Sequence, residues 1–304
     1  MKYNVRYAII AALCCFALLF CSMASGSEPI QAFENPRVRG DQSKRVLGAS
    51  APSRTVLDNG MIVILKENHA APVVSLHVFV KVGSIYEREY LGRGISHNLE
   101  HLINNGTKNR TKEQIKQIIE EIGNVSNAYT TDDHTSYYIT TASSYFDTAL
   151  DVLSDCIKNP IFPEEEVESE RGVILNEINM VKDDPDSQLY QLFARTMFRE
   201  HPAGIPTIGY RELFEKTTQE DIVNYYRRMY APNNMVFVAV GDFDAAKVLP
   251  GVREAFKDFQ RCPAPDLRLP DEPAQVSKRY AEQEMDVQLA YTMMGFHTVD
   301  LFSK

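Results

Sequence analysis

Asp58-Asn59-Gly60 stands between two apolar stretches, Thr55-Val56-Leu57 and Met61-Ile62-Val63-Ile64-Leu65. Asn-Gly supplies the positive φ values of a tight primed turn, so the chain is expected to fold back here as an antiparallel hairpin. A regular βαβ series, which joins parallel strands through helices, does not begin this way. Residues 73–82 alternate and read as a strand, and Gly92 and Gly94 break the chain before an apolar-periodic helix over 95–103. Thr111-Lys112-Glu113-Gln114 is a capping box opening a helix through Ile122, and Gly123 closes it. Strands follow at 125–130 and 136–141 around the turn-like Thr131-Asp132-Asp133-His134, then helices at 145–158, 163–181, 187–199 and 219–230, a strand at 234–240 and a helix at 245–259. Strands and helices that alternate irregularly, with hairpins, predict an α+β fold: an antiparallel-rich sheet flanked by helices.

The N-terminus reads as an address. Residues 1–26 have a basic start (Lys2, Arg6), an apolar run over 8–20 and small residues around Ala24 and Gly26, the pattern of a secretory signal peptide. The chain is therefore expected to be exported, periplasmic or secreted, with an N-terminal membrane anchor as the alternative. Cys21 invites a lipoprotein reading, against which Phe20 places a bulky ring where a small residue is usual. Cleavage removes Lys2 and Arg6 and takes the formal charge from −9 to −11, so a nucleic-acid partner held through phosphates is not expected. Export would permit a disulfide between Cys156 and Cys262, although two cysteines make no disulfide framework and two buried thiols serve equally well.

Five segments result: the signal over 1–26, an extended polar lead-in over 27–50, a main domain over 51–260, a Pro-rich linker over 261–277, and residues 278–304 as the beginning of a second, truncated domain whose first strand is expected over 287–296. A domain needs at least about 50 residues for its own core, so the chain reads as a fragment that stops just after that domain starts.

The chemistry concentrates in His97-Asn98-Leu99-Glu100-His101. Residues at i and i+4 differ by about 40° around a helix axis, so both imidazoles face one way and can grip one Zn²⁺. Glu100, about 60° to the other side of His97, can address a water at the metal rather than the metal itself. This is the inverted zinc-protease helix, H-x-x-E-H. A third ligand is usually a carboxylate from another helix, and Glu170 and Glu177 lie seven residues apart in the helix over 163–181, within about 20° on one face. Two turns separate them by about 10.5 Å along the axis, so only one can bind the ion and the other can orient a histidine. The helix geometry does not rank the two, and by spacing alone the motif could equally be ordinary polar helix residues.

Gly94-Ile95-Ser96-His97-Asn98-Leu99-Glu100-His101-Leu102, with Gly106-Thr107-Lys108 and Thr111, resembles the active-site helix of the insulinase/pitrilysin metalloproteases, which include the mitochondrial processing peptidase. Asn127-Ala128-Tyr129-Thr130 with His134-Thr135-Ser136-Tyr137-Tyr138, then Pro160-Ile161-Phe162, the run from Glu170 to Glu177, His201-Pro202, and Tyr230-Ala231-Pro232-Asn233-Asn234-Met235 with Val240-Gly241-Asp242, fall in that family's order. The likeness covers about residues 50–260.

The resemblance implies a zinc metalloprotease N-terminal domain over 51–260 with one Zn²⁺ per chain, bound by His97, His101 and Glu177, Glu100 as general base and Glu170 as the carboxylate behind a ligand. It implies that Asn127, Ala128 and Tyr129 form an edge strand on which a substrate peptide lies as an added strand. Asn98 departs from the family, where an aromatic or other apolar residue is common, at a position that faces away from the metal. The implied activity is a zinc-dependent endopeptidase acting on peptides or unfolded polypeptides, completed by a second family half in the same longer chain or in a partner subunit. A catalytically incomplete member serving as a binding or assembly subunit is the alternative. His69, His77, His134, His201 and His297 have no helical pairing with another ligand type and read as structural or surface histidines.

Overall fold

The computed structural model describes residues 51–298 apart from Asn124 and Ala264. The expected signal, the lead-in and Cys21 lie outside the described residues. Strands β1 (Ser53–Val56), β2 (Ile62–Glu67), β3 (Val73–Val80), β4 (Val125–Thr130), β5 (Thr135–Ala142) and β6 (Met235–Gly241) form one sheet in the order β1-β2-β6-β3-β5-β4. Four of its pairings are antiparallel, and β2 pairs β6 in parallel, Ile62 opposite Val236 through Glu67 opposite Gly241.

The hairpin forms where Asn59-Gly60 predicts it, but as a three-residue loop. Leu57 N donates to Met61 O at 2.8 Å, and of the turn residues only Gly60 takes a positive φ, +88°. Asn59 is drawn away from the primed geometry: its side-chain amide donates to Phe256 O at 2.8 Å, tying the turn to the last helix. A three-residue loop with Gly at the left-handed position satisfies both demands.

Helices α1 (Ile95–Leu102), α2 (Lys112–Glu121), α3 (Phe146–Lys158), α4 (Glu164–Asp183), α5 (Pro185–Met197), α6 (Arg211–Phe214), α7 (Gln219–Met229) and α8 (Ala245–Phe256) follow the predicted pattern, with the four-residue α6 as an addition. The alternation of Val74, Leu76, Val78 and Val80 in β3 buries one sheet face completely, and Tyr137, Ile139, Phe237 and Ala239 continue it. Leu99 and Leu102 of α1, Val152 and Leu153 of α3, Ile222 and Tyr225 of α7, and Val252 and Phe256 of α8 join the same core. At about 1.5–3 kcal/mol for each fully buried large apolar side chain, this cluster holds the site's scaffold rigid.

Cys156 is buried and Cys262 half-buried, and both are free thiols; burial pushes the Cys156 thiol up to about 12. Residues 261–298 form no helix or strand among those described, so the strand expected over 287–296 is absent. A strand is stabilised by its ladder partner, and none of the described strands pairs with that segment. Glu272 fastens the start of this stretch, accepting from the N–H groups of Arg199, Glu200 and His201 at 2.9–3.1 Å.

Candidate metal centre

α1 is eight residues long and amphipathic. Ile95, Leu99 and Leu102 point into the core, at most 1% exposed, which turns His97, Glu100 and His101 toward the opposite, partly open side. Their partners come from α4, which is buried only at Val167 and Ile174. Residues 167, 170, 174 and 177 make one stripe at helical spacing, so the contacts that dock α4 on α1 also aim Glu170 and Glu177 at the two imidazoles.

The two carboxylates meet different atoms. Glu177 Oε2 lies 3.6 Å from His97 Nε2 and 3.5 Å from His101 Nε2. Glu170 Oε2 lies 3.3 Å from His101 Nδ1, on the far side of that ring, and its Oε1 accepts from Asn105 Nδ2 at 3.0 Å with Lys112 Nζ at 3.6 Å. Lys112 is held in turn by Glu166 at 2.7 Å. Ligand atoms of His97, His101 and Glu177 all lie within 4.8 Å of one another, a group able to hold a metal ion. The fit is quantitative: two ligand atoms each ~2.0–2.2 Å from a tetrahedral ion lie about 3.3–3.6 Å apart. The separations from Glu177 are too long for good hydrogen bonds and match that edge.

Burial, then the neighbouring His101, lowers the His97 pKa to about 4, so the ring is neutral, as a ligand must be. His97 Nδ1 finds no hydrogen-bond partner among the described residues. Burial raises the Glu100 pKa, opposed by Thr130 Oγ1, which donates to Glu100 Oε2 at 2.6 Å. Thr130 ends β4, the last strand in the sheet order, so Asn127, Ala128 and Tyr129 lie on an edge strand that runs past the site.

Residues 62–211 match the family model of the insulinases, peptidase family M16, and residues 216–303 match the model of the M16 inactive domain. The chain belongs to the insulinase family. It is 34% identical over 210 residues to an uncharacterized zinc protease of Streptomyces coelicolor, covering 69% of this chain and 46% of that protein. It is 33% identical over 230 residues to the probable mitochondrial-processing peptidase subunit beta of Arabidopsis thaliana, covering 75% of this chain and 43% of that one. A protease from Helicobacter pylori superposes with a TM-score of 0.67 at 29% identity, over 72% of this chain and 54% of that one. The chain thus spans about half the length of the relatives it matches.

Within this insulinase-family domain the five other histidines stand outside the cluster. His69 Nδ1 lies 2.7 Å from Asp242 Oδ1, His77 3.0 Å from Ser75 Oγ, His134 Nδ1 2.9 Å from Thr131 Oγ1, and His297 Nε2 3.2 Å from Met197 O. His201 Nδ1 accepts from Ala203 N at 3.1 Å, which caps the turn at Pro202 and gives His201-Pro202 a local structural purpose. Asn98, the departure from the family pattern, is 2% exposed with its Oδ1 unpartnered among the described residues. Thr130, Asn105 and Lys112 reach the site through side-chain contacts, which spacing along the sequence does not disclose.

Proposed function

We propose that this chain carries the catalytic site of a zinc-dependent endopeptidase that cleaves peptides or unfolded polypeptides. The observation that supports this above all others is that Glu177 Oε2 meets His97 Nε2 at 3.6 Å and His101 Nε2 at 3.5 Å, the edge length of one tetrahedral ion, with ligand atoms of all three residues within 4.8 Å of one another. His97, His101 and Glu177 would hold a zinc ion, which would supply Lewis acidity toward the scissile carbonyl and a water. Glu170 accepts from His101 Nδ1–H, which selects the tautomer that leaves Nε2 free to bind metal. Asn105 and Lys112 keep the Glu170 carboxylate turned that way. Glu100 takes the water's proton and passes it to the leaving amine. The Thr130 hydroxyl occupies Oε2, so Oε1 is the oxygen left to receive the proton. The substrate backbone lies along β4 at Asn127, Ala128 and Tyr129 as an added strand, its scissile bond carried past Glu100 by the same strand that ends in Thr130.

A second family half, in a longer chain or a partner subunit, would complete the substrate chamber. The N-terminal 26 residues would export the protein, and a mature N-terminus near Gly26, read by mass spectrometry, tests that. One observation favours a second reading, a non-enzymatic binding or assembly subunit: the match of residues 216–303 to the M16 inactive domain. Elemental analysis of the purified chain separates the two. One zinc per chain in the wild type, lost in His101→Ala, is the expected result; a wild type without zinc favours the assembly subunit.

A further inference from the structure

α1 starts without a cap of its own. Its N-cap residue is Gly94 at φ +60°, and a Cβ there would meet the Ile208 carbonyl oxygen at 2.2 Å and its carbon at 2.6 Å, so no Ser, Asp or Asn fits. The first N–H groups of a helix still need acceptors, and Ile95 and Ser96 are completely buried, out of reach of water. The acceptor comes from the β3–α1 connection. Glu87, 1% exposed, takes a hydrogen bond from Ser96 N at 2.9 Å on Oε1, and the neighbouring N–H groups of Gly94 and Ile95 favour its charged form against the cost of burial. Ser96 Oγ in turn lies 2.7 Å from the hydroxyl of Tyr225 in α7, and Tyr90 packs edge-on against the Tyr225 ring. Glu87 and Tyr225 therefore grip the first turn of α1 from two sides, one residue before His97.

Such a grip matters because an isolated helix needs ~12–15 residues to be even marginally stable, so the eight-residue α1 takes its position from tertiary contacts. A metal site tolerates only about 0.2 Å in its ligand distances. We propose that Glu87 is a positioning residue for the two histidines: its buried carboxyl caps α1 from outside the helix and fixes the depth and rotation at which His97 and His101 present Nε2 to Glu177. The proposal rests on the reading of those three side chains as zinc ligands.

The test measures zinc affinity of the full-length chain by chelator competition, at a temperature where circular dichroism shows every variant folded, together with the visible absorption of the cobalt-substituted protein. Glu87→Leu removes every acceptor and is expected to lower zinc affinity ~10–100-fold, as loss of support behind a ligand typically does, and to shift the cobalt bands. Glu87→Gln keeps an acceptor in place and recovers most of the affinity. Val252→Ala truncates a fully buried side chain in α8, lowers stability, and keeps wild-type affinity and spectrum. Should Glu87→Leu fail to fold, Tyr225→Phe removes only the hydroxyl beside Ser96 and is expected to cost ~3–10-fold, the worth of one hydrogen bond. Wild-type affinity in the folded Glu87→Leu chain, or in Tyr225→Phe where that chain does not fold, overturns the proposal. So does a Glu87→Gln as weak as Glu87→Leu, or an equal loss in Val252→Ala. A wild type that holds no more zinc than His101→Ala overturns the zinc reading itself, a result distinct from all of these.

Discussion

Replacing Glu170 and Glu177 separately by Gln tests the division of labour along α4. Both substitutions preserve size, and each removes one negative charge from the same helix face. Glu170 is mostly buried and accepts from His101 Nδ1 at 3.3 Å and Asn105 Nδ2 at 3.0 Å. A Gln retains one carbonyl oxygen, so it can keep one of those bonds and loses the other. A hydrogen bond to a charged group is worth ~1.5–3 kcal/mol, which corresponds to roughly 10–150-fold, in line with the ~10–100-fold typical of a residue behind a metal ligand. Glu177 presents its Oε2 to the Nε2 atoms of both histidines, so Glu177→Gln replaces a charged ligand by a neutral amide and leaves two imidazoles to hold the ion. Its loss should exceed ~100-fold, beyond the range for a supporting residue. Competition with a chelator of known affinity at neutral pH reads both constants on one scale. A larger loss in Glu170→Gln than in Glu177→Gln refutes the assignment.

Glu100→Gln should bind zinc as the wild type does while peptide hydrolysis disappears, because the amide cannot take the water's proton; loss of metal as complete as in His101→Ala would show Glu100 to be a ligand. Asn98→Leu removes a buried oxygen that has no partner among the described residues, and denaturant unfolding should show a gain of ~1–3 kcal/mol; a loss would mean that Asn98 is satisfied. Burial raises the Glu87 pKa from 4.5 to about 8, so between those values the folded chain keeps a proton that the unfolded chain has released. The associated stability is complete below the unfolded pKa and is lost as pH rises through the folded one. Unfolding measured from about pH 5 to about pH 8 should therefore show the wild type losing on the order of 4 kcal/mol relative to Glu87→Gln, and parallel curves would place Glu87 in a solvated setting.

Local signals carried most of the fold. The Thr111 capping box forms with both of its hydrogen bonds, Gly123 takes the left-handed conformation predicted for a helix end, and the helix expected over 163–181 appears at Glu164–Asp183. These features depend on residues within one turn of each other, which is the distance over which sequence pattern speaks. The parallel pairing of β2 with β6 was not legible, because alternation marks which face a strand buries and says nothing of the direction of a neighbour far away in the chain. The strand expected over 287–296 failed for the same reason: its apolar content was real, but strand formation depends on a partner edge.

The site divides along the same line. Helical spacing put His97 with His101 and Glu170 with Glu177 on common faces, and the structure keeps both pairs. Spacing could not rank the carboxylates, since their angular difference is only about 20°. The distinction emerges only when α4 docks on α1 and one oxygen meets two Nε2 atoms while another meets a single Nδ1. Thr130, Asn105 and Glu87 were invisible because each acts across a tertiary contact. Glu87 nonetheless left a trace that composition and periodicity overlook. A helix that opens on Gly94 has no side chain with which to cap itself, and its first buried N–H groups oblige some other part of the chain to bring an acceptor. Ser96 cannot serve, for its hydroxyl is already shared with Tyr225. An uncapped start on a short helix thus predicts a buried acceptor elsewhere in the chain, and the carboxyl that answers it bonds Ser96, one residue before His97.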